Sequence, residues 1–296
     1  MIFRSKPAPR PLLACEIFSD RVLAARASVQ RDLVEVHTAR QLPAGAVTPS
    51  LTAANINDPA AVSVAVSDAL AGVGGRSRDV IAVLPDAAVR TVLLDFDVLP
   101  EDAQEAAGVI RFRLKKSLPF EVEKAVVSYH ADRAGGAVKV VASVALASIV
   151  QEYEHVLVEA GYNPGVVLPS TLAALGTVDA GRPTLVIKVG EQSTTVAIVD
   201  QNELRLFRTL EVAPTDPAKL VDEVYPSLVF FEDQFGSSVE RILLGGTGSA
   251  RDLAPVIGSH TAAPIEDLVA ARHVGSSLSG GSQSGPLAGI VGALLG

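Results

Sequence analysis

Several residue types are scarce in this sequence, and each shortage removes a class of protein. Among 296 residues there is one cysteine, Cys15. Neither an internal disulfide framework nor a multi-cysteine metal site is therefore open to the chain. Tryptophan is absent and aromatic residues make up only 4%. The apolar 48% is mostly Ala, Val and Leu, which is ample for a packed core. Bases are fewer than acids, 25 against 33, for a formal charge of −8. Neutralising phosphates needs the opposite excess, so the balance argues against a nucleic-acid partner and none is expected. Mean hydropathy is positive, yet no apolar run reaches the roughly 18 residues of a membrane-spanning helix. The longest such stretch near the end, Leu287 to Leu295, is too short, so no direct membrane span is expected.

A lone cysteine suits a reducing compartment. Leu12-Leu13-Ala14-Cys15 reads like the cleavage box of a bacterial lipoprotein, with Arg4, Lys6 and Arg10 ahead of it. Such a signal also needs an apolar core of roughly 7–15 residues. Pro7, Pro9, Arg10 and Pro11 occupy that space, so Cys15 is expected to be a buried strand residue.

What is present is alternating α/β punctuation. At roughly 150 residues per domain, the length suggests about two domains. Leu12–Phe18, Val22–Ser28 and Leu33–Gln41 read as strands. Asp58-Pro59 opens a helix that runs to about Leu70 and stops at Gly72, Gly74 and Gly75. Asp79–Leu84 reads as a buried strand ended by Pro85. A second unit follows, with a strand over Val89–Phe96 and a helix expected over Pro100–Leu118. Glu101, Asp102 and Glu105 open that helix, while Arg111, Arg113, Lys115 and Lys116 lie near its end, and both sets complement the dipole. Strands Val126–His130 and Val138–Ala145, joined by Gly135-Gly136, lead to a helix over Ser148–Ala160. A strand over Asn163–Leu168 and a short helix over Ser170–Leu175 follow that unit.

The opening order then returns. Thr184–Gly190, Thr195–Val199 and Arg205–Leu210 are strands, followed by a helix over Pro217–Phe235 and a strand over Arg241–Leu244. Strand-strand-strand-helix-strand thus occurs twice, roughly 170 residues apart, which predicts two similar α/β lobes facing each other.

Four stretches now carry a resemblance. Leu99-Pro100-Glu101-Asp102 begins a helix that ends in Leu118-Pro119-Phe120. Ile187 to Thr195 reads IKVGEQSTT, and Leu243 to Ser249 reads LLGGTGS. Pro286 to Gly296 reads PLAGIVGALLG. In their order and spacing these resemble the PilM family, actin-like proteins of type IV pilus assembly. GspL of type II secretion shares that fold, and FtsA resembles it more distantly. The resemblance implies an α/β, actin-like (ribonuclease H-like) fold of two lobes with an inserted α+β subdomain. It implies a first lobe of residues 7–84, 163–180 and 286–296, an inserted subdomain over 85–162, a second lobe over 181–275 and a Gly/Ser-rich loop over 276–285. It further implies a cytoplasmic adaptor, peripheral to the inner membrane, that docks the cytoplasmic N-terminal segment of a PilN-like inner-membrane protein. The candidate docking residues are Ile110, Leu114, Leu118 and Phe120, on a stripe whose helical spacing is equally that of a core. The other readings are a working ATPase on the same fold and a GspL-like component.

ATP is the ligand the resemblance implies, held between two β-hairpins whose turn amides meet phosphates and whose carboxylates hold hydrated Mg²⁺. The candidate nucleotide-binding residues are Glu16 and Ser19 on the first hairpin, and Lys188, Gly190, Ser193, Thr194 and Thr195 on the second. Gly245, Gly246, Thr247 and Gly248 form the adenosine-side glycine loop. The family's Asp-x-Gly is here Glu16-Ile17-Phe18, its lysine slot falls at Leu23, and its second acidic slot holds Lys188. Two readings stand. In one the site is degenerate and the fold is a scaffold, with no Mg²⁺ and no catalytic residues. In the other Lys188 contacts phosphate itself as a point charge. Lys188 pointing to solvent, and the glycines forming an ordinary turn, are the bland forms of the same residues. The five histidines show no metal-ligand spacing.

Overall fold

The computed structural model describes residues 10–133, 136–211, 217–246, 250–259, 261–275 and 285–296. The first lobe begins with strands β1 (Leu13–Ile17), β2 (Arg21–Ala27) and β3 (Val34–Gln41), then helix α1 (Pro59–Val73) and strand β4 (Asp79–Leu84). The inserted unit holds β5 (Arg90–Phe96), α2 (Ala103–Leu114), β6 (Ala125–Asp132), β7 (Val138–Leu146) and α3 (Ala147–Glu159). The chain returns through β8 (Asn163–Pro169) and α4 (Ser170–Leu175). The second lobe contains β9 (Thr184–Val189), β10 (Thr194–Asp200), β11 (Glu203–Leu210), α5 (Pro217–Phe235), β12 (Arg241–Gly246), α6 (Ala250–Gly258) and β13 (Ile265–Asp267). Helix α7 (Ala288–Leu295) closes the chain.

The repeated order in the sequence becomes two sheets of one topology, β3-β2-β1-β4-β8 and β11-β10-β9-β12-β13. In each, two antiparallel hairpin pairings are followed by parallel ones. The inserted unit has its own antiparallel sheet, β5-β7-β6.

Strand alternation decides what faces the space between the lobes. In β1, Leu13, Cys15 and Ile17 join the core beneath α1 and α3. Ala14 joins a second core on the opposite face, built around α4 and α7. That second core also takes Val186 of β9 and Ala197 of β10, so it cements one lobe to the other. Glu16 shares parity with Ala14, and Lys188 shares parity with Val186. Both polar residues are thereby aimed at the interlobe face. Cys15 is a buried strand residue, and burial raises its thiol pKa well above the ordinary range.

Helix α7 reaches this centre because it is small. A Cβ on Gly292 would sit 2.0 Å from the Ala173 carbonyl oxygen, so only glycine allows α7 to cross α4 so closely. One helix differs from its sequence-based limits. Residues 100–118 were expected to be helical, but α2 spans Ala103–Leu114. The Asp102 side chain accepts from the Gln104 and Glu105 amides and so caps the helix two residues inside its expected start. At the other end Ser117 N donates to Leu114 O, turning the chain away. The Gly135-Gly136 turn and the 276–285 loop fall wholly or partly outside the described residues.

Candidate functional site

The two hairpin turns meet tip to tip across the cleft. On the first, Phe18 N donates to Arg21 O and closes the turn through Ser19 and Asp20. On the second, Gly190 N donates to Ser193 O around Glu191 and Gln192. A Cβ at Gly190 would lie 2.7 Å from the Ser193 carbonyl oxygen, which is why that corner requires glycine. Ser19 Oγ donates to Glu191 Oε2, joining the turns directly. Arg21 NH2 lies 3.9 Å from Glu191 Oε1. Burial raises the Glu191 carboxyl above its ordinary value, with Asp20 adding to the rise.

Beneath this contact sits a buried charged cluster. Lys188 Nζ is 3.7 Å from Glu16 Oε1 and 3.8 Å from Asp86 Oδ2. Lys188 is 6% exposed and Glu16 is fully buried, so the lysine does not point to solvent. Both carboxylates are held by α4. Ser170 Oγ donates to Glu16 Oε1. Thr171 donates to Asp86 through its amide at 2.9 Å and its hydroxyl at 2.5 Å. Glu16 Oε2 is buried without a hydrogen-bond partner. Burial pushes the Glu16 carboxyl up to about 7, against the downward pulls of Lys188 and the Ser170 hydroxyl. The Phe18 ring roofs the cluster, with Lys188 Nζ 6.0 Å and the Arg21 guanidinium 5.4 Å from its centroid. The space left among these groups is about 50 Å³.

The other expected nucleotide residues are placed less simply. Ser193 and Gly190 line this space. Thr194 and Thr195 do not, being buried within β10. Thr195 Oγ1 lies 3.4 Å from Thr209 Oγ1 of β11, and Thr194 Oγ1 is buried without a partner. Gly245 and Gly246, expected in a loop, are the last residues of β12 and pair with Lys188 and Val189. Gly246 has φ of +107°, and a Cβ there would be 1.9 Å from the Val189 carbonyl oxygen. Thr247 and Gly248 lie outside the described residues. Leu23 is buried in the interlobe core.

The stripe proposed for a partner is also relocated. Ile110 and Leu114 are fully buried in the inserted unit's own core, and Leu118 and Phe120 pack partly buried against it. A docking segment cannot touch the first two. Phe112, on the outer side of α2, is the exposed aromatic there.

A different groove lies between the inserted unit and the first lobe. Val126 of β6, Val144 of β7 and Val150 of α3 form one wall. Leu84, Val167 and Pro169 form the other. Its lining carries no charged residue, and Ser128 and Ser143 are its hydroxyls. β8 is the outermost strand of the first sheet and β6 that of the inserted sheet, so both walls include a sheet edge. A groove beside the inserted unit is what the resemblance implies, but its lining residues, like Asp86, Glu191 and Ser170, are not among the sequence candidates. Asp86 did carry a signal: it follows Pro85 just past the carboxyl end of a buried parallel strand, where α/β folds place their ligand groups.

No protein-family model and no curated protein matches the chain. Solved structures do. A PilM-PilN type IV pilus biogenesis complex matches with a TM-score of 0.82 and 20% identity, over 97% of this chain and 98% of that one. The cytoplasmic domain of EpsL, an inner-membrane component of the type II secretion system of Vibrio cholerae, matches with a TM-score of 0.51 and 11% identity, over 88% and 98%. A Bacteroides thetaiotaomicron protein of actin-like ATPase fold and unknown function matches with a TM-score of 0.51 and 11% identity, over 94% of each chain. The chain has the actin-like fold: two lobes of matching topology with an inserted α+β unit.

Proposed function

We propose that the chain is a PilM-like adaptor of type IV pilus assembly, which docks the cytoplasmic N-terminal segment of a PilN-like inner-membrane protein. The observation that carries this is the uncharged groove between β8 and the β6–β7 hairpin. Two open sheet edges with apolar side chains between them suit an extended peptide: main-chain hydrogen bonds supply affinity and alternate side chains enter the groove. The likeness to a PilM-PilN complex over nearly the whole of both chains supports that choice of partner. Among the described residues no helix is long and apolar enough to cross a membrane. In this reading the partner makes the membrane connection, and the chain acts beside it in the cytoplasm.

In the same reading the nucleotide site is degenerate. The space at the cluster is about 50 Å³ and adjoins a larger one of about 690 Å³ that shares Asp86, Gln192 and Ser193, so degeneracy rests on the charges rather than on room. The carboxylates that would serve a hydrated Mg²⁺ both face Lys188, and an ammonium within 4 Å of each opposes a divalent cation. Phe18 stands over Lys188, its ring centroid 6.0 Å from Nζ. These groups fit an internal ion pair and do not fit a nucleotide–metal complex. The test is calorimetric titration of the intact protein with a synthetic PilN-like N-terminal segment from the same genome. Binding is expected for the native chain and is expected to be lost in Val126→Glu, a change at a half-exposed groove position. Equal binding by both proteins would place the segment elsewhere, and no binding to the native chain would refute the adaptor reading.

A further inference from the structure

Lys188 belongs to the second lobe, while Glu16 and Asp86 belong to the first. The three charges therefore span the cleft rather than decorate one wall. Nothing local requires this. A lysine near the end of β9 has a flexible stem long enough to reach water, yet here it is 6% exposed. Burying an ammonium is costly unless its charge is matched and its partners are themselves held in place. Both conditions are met from the opposite lobe. Glu16 is fixed by Ser170, and Asp86 by the amide and hydroxyl of Thr171. Helix α7 seals the rear, where a Cβ on Gly289 would come 2.6 Å from Glu16 Oε2. The groups facing Lys188 and Glu16 are thus Asp86, Ser170, Arg21 and the Phe18 ring.

We propose that Lys188 is the cleft's own cation, a clasp that holds the two lobes closed in the place of a bound ligand. In a two-lobed cleft of this kind, a ligand gripped by both hairpins favours closure by touching both lobes at once. Lys188 does the same from within the chain, with Ser19 and Glu191 forming an outer latch above it. A ligand can shift an equilibrium only through its differential affinity for the two states. Lobes already tied by an internal ion pair leave a nucleotide little to add by bridging them. The inference does not depend on which partner fills the groove.

Spin labels on exposed helices of the two lobes test it. Asp68→Cys on α1 and Glu223→Cys on α5 provide the sites, and buried Cys15 takes no label. Pulsed electron resonance on the labelled full chain should give one narrow interlobe distance, unchanged by ATP with or without Mg²⁺. Lys188→Met should shift the distribution to longer and broader distances. Lys188→Met combined with Glu16→Gln should shift it less, because the uncompensated carboxylate is gone. If Lys188→Met fails to fold by circular dichroism, Ser19→Ala with Glu191→Gln gives the second arm, with widening expected again. An unchanged distance in the folded variants would overturn the clasp. A narrowing of the native distance on adding ATP and Mg²⁺ would also overturn it, since the native cleft would then not be closed.

Discussion

Ser19 donates to Glu191 across 172 residues of chain, linking the turn of the first hairpin to the turn of the second. Its neighbour pair, Arg21 and Glu191, is partly exposed at 21% and 31%. Water and salt screen such a pair, which is worth about 1 kcal/mol or less. Lys188 and Glu16 lie deeper, at 6% and 0%. Removing one member of a buried pair leaves a bare charge and costs about 3–5 kcal/mol. Glu191→Gln should therefore lower stability slightly, and Lys188→Met severely, in urea denaturation. Equal losses would mean that the inner cluster is not the stronger tie.

The raised Glu16 carboxyl has a signed consequence. Its value is about 7 in the folded chain against an ordinary 4.5. The folded state therefore holds this proton more tightly than the unfolded state does. The resulting stabilisation is complete below about pH 4.5 and is lost as pH rises through about 7. Compared with Glu16→Gln, the native chain should lose stability across that window and change little above it. The check is thermal unfolding of both proteins at a series of pH values, read as their difference. A difference that does not vary with pH would contradict the burial argument.

Helix α7 crosses α4 at a distance that admits no side chain at Gly292. Gly292→Ala forces a shift in a core shared by both lobes, at a cost of about 1–3 kcal/mol. A lower melting temperature by calorimetry is the expected result, although alanine is intrinsically the better helix residue. A higher melting temperature would show that helix propensity outweighs the crossing.

Within α2, Ile110 and Phe112 invite opposite expectations. Ile110 is fully buried, and its truncation to alanine should destabilise by about 2–5 kcal/mol. Phe112 is 78% exposed, and Phe112→Ala should change stability by about 0.5 kcal/mol or less. Guanidinium denaturation of the two variants measures both.

The lobes were readable because duplicated strands announce themselves by short apolar runs between polar turns. The Asp58 cap also followed from residue type alone, its side chain accepting from the Ala61 amide. The cluster was readable only in half. Glu16 and Lys188 stood out as departures from a family pattern, but their meeting depends on strand parity in two sheets more than 170 residues apart. Asp86 and Ser170 gave less warning, since each becomes meaningful only when β4 and β8 lie side by side. The stripe through Ile110 and Leu114 stood open between two readings for a general reason: one helical spacing serves a core and a docking face alike, and here the β5-β7-β6 sheet claimed it. The groove has no sequence signature, because its walls are edges of two sheets far apart in the chain.

The most direct test of the account is one calorimetric series with the native chain and the PilN-like segment, run first without nucleotide and then with ATP and Mg²⁺. An adaptor whose lobes are closed by Lys188 binds the segment in the first run and with the same affinity in the second, whereas Val126→Glu weakens it at least about tenfold, or about 1.4 kcal/mol. Binding that appears only once ATP and Mg²⁺ are present would contradict the account.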